Sequence, residues 1–329
     1  MIYESGEVLG AVSSAQACSA VVQRQKAPLS GRSSDRRTML SIVIVNYNTE
    51  KLLQGCLESV YGGANGTPFD VWVVDNHSRD SSVEMVKSRF PKVKVIESES
   101  NLGFSRANNL VISRNESDYV LLLNPDTLVI GDSIDRMVKF MDEHPKVGIA
   151  GCKVLNADRT LQLACRRSIP TPKVAFYRLT GLSKLFPKHP EVARYNLTYC
   201  DPEETHEVDA VSGAFLMIRR KAVEDIGLLD ERFFMYGEEL DWCLRAKRAG
   251  WTVMYHPLAE IIHYKGESTK YNSRKAALEF YRAMYLFHKK HFAKDYSTVM
   301  NFLIYAGIIV KAFSSWRSFV FSAKVGSRT

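Results

Sequence analysis

Four polar clusters, each standing where an apolar run ends, constrain this chain more than any other feature. From Leu40 onward, short apolar runs alternate with helical stretches, the pattern of an α/β domain built on a largely parallel sheet. Residues 40–45 form a continuous β-rich run suited to a strand buried on both faces. Residues 71–74, 93–96 and 119–123 repeat the theme. Helices are expected between them: one from about Glu50 with Leu52, Leu53, Cys56, Leu57 and Val60 at helical spacing, one after a Ser81/Glu84 capping box, and one over about 105–115. The polar clusters fall at 46–49, 75–78, 101–109 and 124–127. Ligands of such sheets sit beyond the carboxyl ends of the strands, so these clusters mark the expected site.

A helix over 133–143 follows, and the second half is less regular. Residues 166–206 contain five prolines (Pro170, Pro172, Pro187, Pro190, Pro202) and read as a long excursion of the kind that forms a lid or an acceptor surface. Order returns over 208–218, in a helix over 237–249 and in a strand over 252–255. With 46% hydrophobic residues in 329, the chain can bury a sizeable core, which excludes a disordered or fibrous protein. Its six cysteines are scattered without CxxC spacing and fit a reducing compartment. Residues 1–38 are rich in Ser, Ala and Gln, and disorder is expected there. Residues 9–22 lack both the basic lead and the apolar heart of a signal peptide, so export is not expected. Met39, directly before the first strand, is a candidate native start.

Asp75 ends an apolar strand in VVDNHS. It either caps the next helix or accepts the imide N–H of a uracil or thymine ring, on which Tyr47 could stack. In LLLNPDT, Asp126 directly follows a strand, with Asn124 as a neutral oxygen donor. The motif is either an ordinary Asn-Pro-Asp turn or a carboxylate for the hard cation that two phosphates require. FFMYGEELDWCLR places Glu238, Glu239 and Asp241 at a helix N-terminus behind two aromatics. The helix dipole favours carboxylates there, yet three in four residues exceed what capping needs, and one partly desolvated carboxylate could take an acceptor's proton. Arg245 is either a partner for these acids or a phosphate contact. His263, after an apolar run in IIHYKGES, is either structural or a nitrogen ligand beside Asp126.

As a set, SIVIVNYN, VVDNHS, NLGFSRANN, LLLNPDT, SGAFLMIRR, FFMYGEELDWCLR and HYKGES resemble the inverting GT-A glycosyltransferases of family 2, and among them the bacterial rhamnosyltransferase-like branch. The resemblance runs over about 40–269. It implies a GT-A fold, with a Rossmann-like nucleotide-binding half and a mostly parallel central sheet, over 39–272. It implies that Tyr47 and Asp75 hold the base, and that Asn48, Asn101, Gly103, Phe104, Arg106, Asn109, Asn124 and Arg245 belong to the nucleotide-sugar pocket. Asp126 would bind Mg2+ or Mn2+ with His263 as a further ligand, and Glu239 would be the base with Asp241 as runner-up. Asn124 and Glu239 stand where many members have Asp. The implied reaction is one in-line displacement with inversion, and the implied donor is dTDP-rhamnose.

The net charge of +8 lies in the tail: from Lys270 onward there are 11 Lys or Arg against 2 acids, which leaves 33 against 34 elsewhere. Residues 273–329 are expected to be a basic amphipathic helical region. Residues 299–310 are apolar for only a dozen positions, too few to cross a hydrocarbon core of roughly 30 Å, so a helix lying in the headgroup region is expected. Packing on the catalytic domain is the alternative. No nucleic-acid-binding module is recognisable. A peripheral protein on the cytoplasmic face of the membrane, acting on a polyprenyl diphosphate-linked saccharide, follows as the expectation. The rivals are a sugar-nucleotide pyrophosphorylase, opposed by NYNTEK where a Gly-rich phosphate loop would stand, a non-catalytic nucleotide-sugar-binding protein, and a transferase using UDP-galactofuranose or a UDP-hexose.

Overall fold

A computed structural model of the chain describes residues 40–64, 66–264 and 273–326. The extension expected to be disordered, 1–38, lies outside the described residues. The first half reads as the sequence patterning requires. Strand β1 (Leu40–Asn46) leads to α1 (Glu50–Gly63), β2 (Phe69–Asp75), α2 (Ser82–Arg89), β3 (Lys94–Glu97), α3 (Phe104–Ile112) and β4 (Tyr119–Leu123). Leu40, Ile42, Val43 and Ile44 are all fully buried, because β1 is central and covered on both faces. On α1, Leu53, Cys56, Leu57 and Val60 face the sheet, the 3- and 4-residue spacing of an amphipathic helix. The capping box at α2 does not form: Ser81 makes no side-chain cap bond, and Asp80 accepts from the backbone N–H and the hydroxyl of Ser82 instead.

Then follow β5 (Thr127–Val129), α4 (Ser133–Glu143), β6 (Val147–Leu155) and β7 (Arg166–Arg167). The proline-rich excursion is more ordered than its composition indicates and carries α5 (Pro172–Leu179) and α6 (Leu182–Leu185). Thr171 caps α5 by accepting from the Val174 N–H, and Pro172 at the first helical position has no N–H to leave unsatisfied. Short β8 (His206–Glu207) and β9 (Ala210–Val211) precede β10 (Phe215–Arg219), α7 (Arg220–Ile226), α8 (Glu238–Arg248) and β11 (Thr252–His263). Strand β11 runs eight residues beyond the expected end at Tyr255, through register irregularities between His256 and Glu260, and so carries His263 itself.

The main sheet has the order β3-β2-β1-β4-β10-β6-β11-β5, with β8 paired to β11. Strands β3, β2, β1 and β4 are mutually parallel, and β6 is parallel to β11. Strands β10, β5 and β8 run the other way. Reversal at β10 matters for function, because its amino end pairs with the carboxyl end of β4, Phe215 opposite Leu123. Segment 212–214 is thereby delivered to the edge where β1, β2 and β4 end.

Beyond β11, α9 (Ser273–His291) and α10 (Thr298–Gly326) lie against each other, tied by Tyr281–Ser315 and His288–Asn301 hydrogen bonds. The helical tail is longer than its apolar run indicates. The apolar dozen is part of a 29-residue helix about 43 Å long. Its segment Thr298–Ser315 has a mean hydropathy of 1.4 and none of it is buried, so by length and composition α10 is able to cross a membrane. Exposed Val299, Phe302, Leu303, Ile309, Val310 and Phe313 recur at helical spacing and share one face of α10, the stripe that a helix lying in the interface plane would also present.

Candidate active site

At the end of β1, Asn46 is fully buried and donates to the Asp75 carboxylate (2.9 Å) and to Ser78 Oγ. The other Asp75 oxygen accepts from the Ser78 N–H at 2.8 Å. Asn48, in the left-handed region at φ 54°, accepts from the Arg79 N–H and donates its own N–H to Ser78. These bonds lace the two strand ends into one rigid lip that holds Asp75, Asn48 and the half-buried Tyr47 together. Asn46, which is part of that lip, was not singled out in the sequence; a polar residue at the end of an apolar strand is its only signal.

The third cluster fastens the start of α3 in place. Asn101 turns the backbone by accepting from the Gly103 N–H. Gly103 has φ 79°, and a Cβ there would stand 2.5 Å from the Phe234 carbonyl oxygen, so only glycine fits. The Phe104 N–H donates to that carbonyl and the Ser105 hydroxyl to the Phe233 carbonyl. The start of α3 is thus fastened to the segment that precedes α8. Asn109 is a strut rather than a pocket residue: buried, it donates to the Leu229 carbonyl and to Glu231 and accepts from the Leu229 N–H. Arg106 is exposed on the same helix.

Asp126 and His263 meet where β4 and β11 end, with His263 Nε2 3.2 Å from Asp126 Oδ1. The tautomer of His263 is set by Gln162, a residue the sequence does not mark. Gln162 Nε2 donates to the carbonyls of His263 (2.7 Å) and Leu155, so its Oε1 is the atom facing His263 Nδ1 at 3.1 Å. Nδ1 therefore carries the proton and Nε2 faces the carboxylate, with the Asn124 amide nitrogen 3.4 Å away. Asn124 presents that nitrogen to the imidazole, not the oxygen expected of a cation ligand. A buried carboxylate and an imidazole lone pair brought this close require positive charge between them, a proton or a metal ion. Among the described residues no group of three His, Cys, Asp or Glu side chains is placed to hold a metal. Two protein ligands with the remaining positions left to phosphate oxygens and water is how a Mg2+ or Mn2+ site on a diphosphate is built.

Facing this pair is the N-terminus of α8. Tyr236 and Gly237 both have positive φ (71° and 84°), a conformation that costs Tyr236 strain and that Gly237 adopts freely. Burial raises the Tyr236 phenol above its usual range, and the charges of Glu238, Asp126 and Glu239 raise it further. The Tyr236 phenol thus feels the charge of all three carboxylates. Glu239 accepts from Arg167 Nη2 at 2.6 Å through one oxygen and from the Gly237 N–H at 3.0 Å through the other. Its Cβ is 3.8 Å from where a Cβ on Gly213 would stand. Arg167 comes from β7, also donates to the Val211 carbonyl (3.1 Å) and has the Tyr195 phenol beside it. Burial disfavours the Arg167 charge, but its neighbours, the Glu239 carboxylate first and then Tyr195, together more than offset this. Sequence reading missed Arg167; its one signal is a charged pair, Arg166 and Arg167, after the apolar 163–165.

Two residues proposed from sequence are excluded from this cluster by their partners. Asp241 is fully buried and accepts from His291 (2.7 Å) and Lys290 (2.5 Å) of α9 and from Arg245 (2.8 Å), so it anchors α9 and cannot receive an acceptor's proton. Arg245 is spent on Asp241 and on the carbonyls of Ile226 and Leu228, which makes it the acids' partner and not a phosphate contact. A cleft of about 390 Å³ lined by Arg194, Tyr199, Asp209 and Lys247 lies apart from these groups and contains none of them.

Glu238 is different again. It is 6% exposed, and its Oε2 has no hydrogen-bond partner among the described residues. Burial, reinforced by the Glu239 charge, holds its carboxyl well above the usual range. The folded protein therefore keeps a proton that the unfolded chain loses above about pH 4.3. Stability should fall as pH rises from there, by up to about 1.4 kcal/mol per unit, until the folded group also ionises. Glu238→Gln removes this slope, so the melting temperature of the variant should exceed that of the parent by a margin that widens between pH 5 and 8. Parallel curves would show Glu238 to be ionised in the fold.

A family model described as glycosyl transferase family 2 matches residues 41–227. The chain is 28% identical over 260 residues to the N-acetylglucosaminyl-diphospho-decaprenol L-rhamnosyltransferase of Mycobacterium tuberculosis, covering 76% of this chain and 83% of that one. It is 26% identical over 237 residues to rhamnosyltransferase WbbL of Escherichia coli, covering 69% and 83%. Among solved structures it is similar to the mannosyltransferase PcManGT of Pyrobaculum calidifontis, determined with GDP-Man and Mn2+, with a TM-score of 0.54 and 14% identity over 92% of this chain and 85% of that one. That last likeness is one of fold, the GT-A type of α/β domain.

Proposed function

The chain belongs to glycosyl transferase family 2, and on that premise we propose that it moves L-rhamnose from dTDP-rhamnose to a hydroxyl of a polyprenyl diphosphate-linked saccharide, with inversion. The observation that carries this reading is the pairing of Asp126 with His263 and of Glu239 with Arg167, with the Tyr236 phenol under the charges of both Asp126 and Glu239. Tyr47 and Asp75 hold the thymine ring on the rigid lip of β1 and β2, where Asp75 retains acceptor capacity beyond its bonds to Asn46 and Ser78. Asp126 and His263 are the residues that would hold Mg2+ or Mn2+, which when bound neutralises the departing diphosphate. Glu239, fixed by Arg167 and the Gly237 N–H, takes the acceptor hydroxyl's proton as that oxygen attacks the anomeric carbon.

The two rhamnosyltransferase relatives support the sugar, and the decaprenol-linked substrate in one relative's name supports a lipid-linked acceptor. Helix α10, apolar and unburied, would hold the enzyme to the membrane that carries such an acceptor, on the cytoplasmic side where nucleotide sugars are made. Donor competition tests the sugar. Hydrolysis or transfer from dTDP-rhamnose should be at least tenfold more efficient than from UDP-galactofuranose or a UDP-hexose, and a reversed order would reassign the donor within the same family.

A further inference from the structure

The proline-rich excursion carries a surface that catalysis, as described, leaves unused. Helix α5 buries none of its residues, and Phe176 (57%), Leu179 (48%), Leu185 (72%) and Phe186 (54%) all stand exposed. Single exposed apolar residues are ordinary, but four of this size on two short consecutive helices and the residue that follows them form a patch. Residues 172–188 also carry four cations and no acid. Lys173 pairs with Glu191, and Arg178 lies 4.1 Å over the Tyr195 ring. Lys184 and Lys188 make no ion pair among the described residues. Aromatic and aliphatic side chains flanked by cations match the boundary between headgroups and acyl chains of an anionic bilayer. A second copy of this chain is a poor match, since a two-fold contact would set the same cations against one another.

We propose that residues 172–188 are a membrane-contact surface, separate in sequence from α10, that seats on an anionic lipid bilayer at the acceptor side of the base. The inference rests on the reading that the acceptor is lipid-linked. The surface is linked to the chemistry in three steps: Arg178 stacks on Tyr195, the Tyr195 phenol neighbours Arg167, and Arg167 bonds Glu239. Seating the excursion in lipid therefore fixes the height of the base above the bilayer, where the hydroxyl of a lipid-linked saccharide arrives.

Full-length Phe186→Trp and the parent are compared in the presence of phosphatidylglycerol vesicles with brominated acyl chains, because Trp72, Trp242, Trp251 and Trp316 contribute to both. The emission added by the substitution should shift to the blue and be quenched at least twofold, and more by phosphatidylglycerol than by phosphatidylcholine. Lys184→Glu combined with Leu185→Ser should weaken vesicle binding by about tenfold and leave donor hydrolysis in solution unchanged. Added emission that stays characteristic of water while the protein sediments with vesicles would overturn the proposal, leaving α10 as the sole anchor. Equal quenching by the two lipids would overturn the anionic assignment. A blue shift in buffer that grows with protein concentration would assign the face to a protein contact instead. Vesicle contact is read without donor or acceptor, so its failure is distinguishable from a failure of rhamnosyl transfer.

Discussion

Glu239→Gln is expected to lower transfer by about 10²- to 10⁴-fold while donor affinity stays within about twofold of the parent. The amide keeps the size of the side chain and its bond from Arg167, since an amide oxygen also accepts at 2.6 Å from Nη2. It loses the capacity to take a proton. A base that acts only as the acceptor oxygen attacks should show its loss in kcat and not in donor binding. Arg167 makes the substitution harsher, for its charge then lies buried without its carboxylate partner, and some loss of stability should accompany the kinetic effect. An equal fall in donor affinity and turnover would move Glu239 from proton transfer to donor binding.

Asp126→Ala should remove metal-dependent turnover, by at least about 10³-fold, and weaken binding of a nucleoside diphosphate in the presence of Mn2+. Asp126 is 1% exposed beside His263, so its removal takes away the charged half of the two-ligand set. Gln162→Leu gives the smaller, diagnostic companion. It leaves both ligands in place but frees the imidazole to rotate or change tautomer, and Mn2+ affinity should drop by about 10- to 100-fold. Calorimetric titration of Mn2+ with the nucleotide present reads both. Unchanged Mn2+ affinity in Asp126→Ala would place the cation elsewhere.

The parallel half of the fold is legible in the chain because each strand there is a short apolar run followed by a polar cluster, and α1 shows its apolar spacing openly. Asp126, His263 and Glu239 are legible for the same reason: each directly follows an apolar run or opens a helix. What the sequence hides is long-range partnership. Gln162 and Arg167 lie on a segment with no periodic signal, and only the folding of 161–167 beneath β11 and α8 brings them to His263 and Glu239. Asp241 misled for the converse reason. Its sequence position at the acidic helix start resembles that of Glu239, but it faces α9, whose Lys290 and His291 reach it from about 50 residues away, and Arg245 four residues on is its partner, one of the two roles the sequence left open. Asn109 likewise belongs by sequence to a pocket motif and by structure to a helix–loop joint. The length of α10 is not visible in its apolar run, because Lys311 and the serines after it break the run without breaking the helix.

The central claim is that this chain transfers a sugar to lipid using Asp126 and Glu239. The most direct measurement is the movement of radiolabel from a nucleotide sugar into the organic-extractable lipid of membrane vesicles by purified full-length protein, with and without Mn2+ or Mg2+. Label should enter the lipid fraction from dTDP-rhamnose only when a divalent cation is present, and not with Asp126→Ala or Glu239→Gln. Tight binding of the nucleotide sugar with no label transferred from any donor, or transfer undiminished in both variants, would contradict the account.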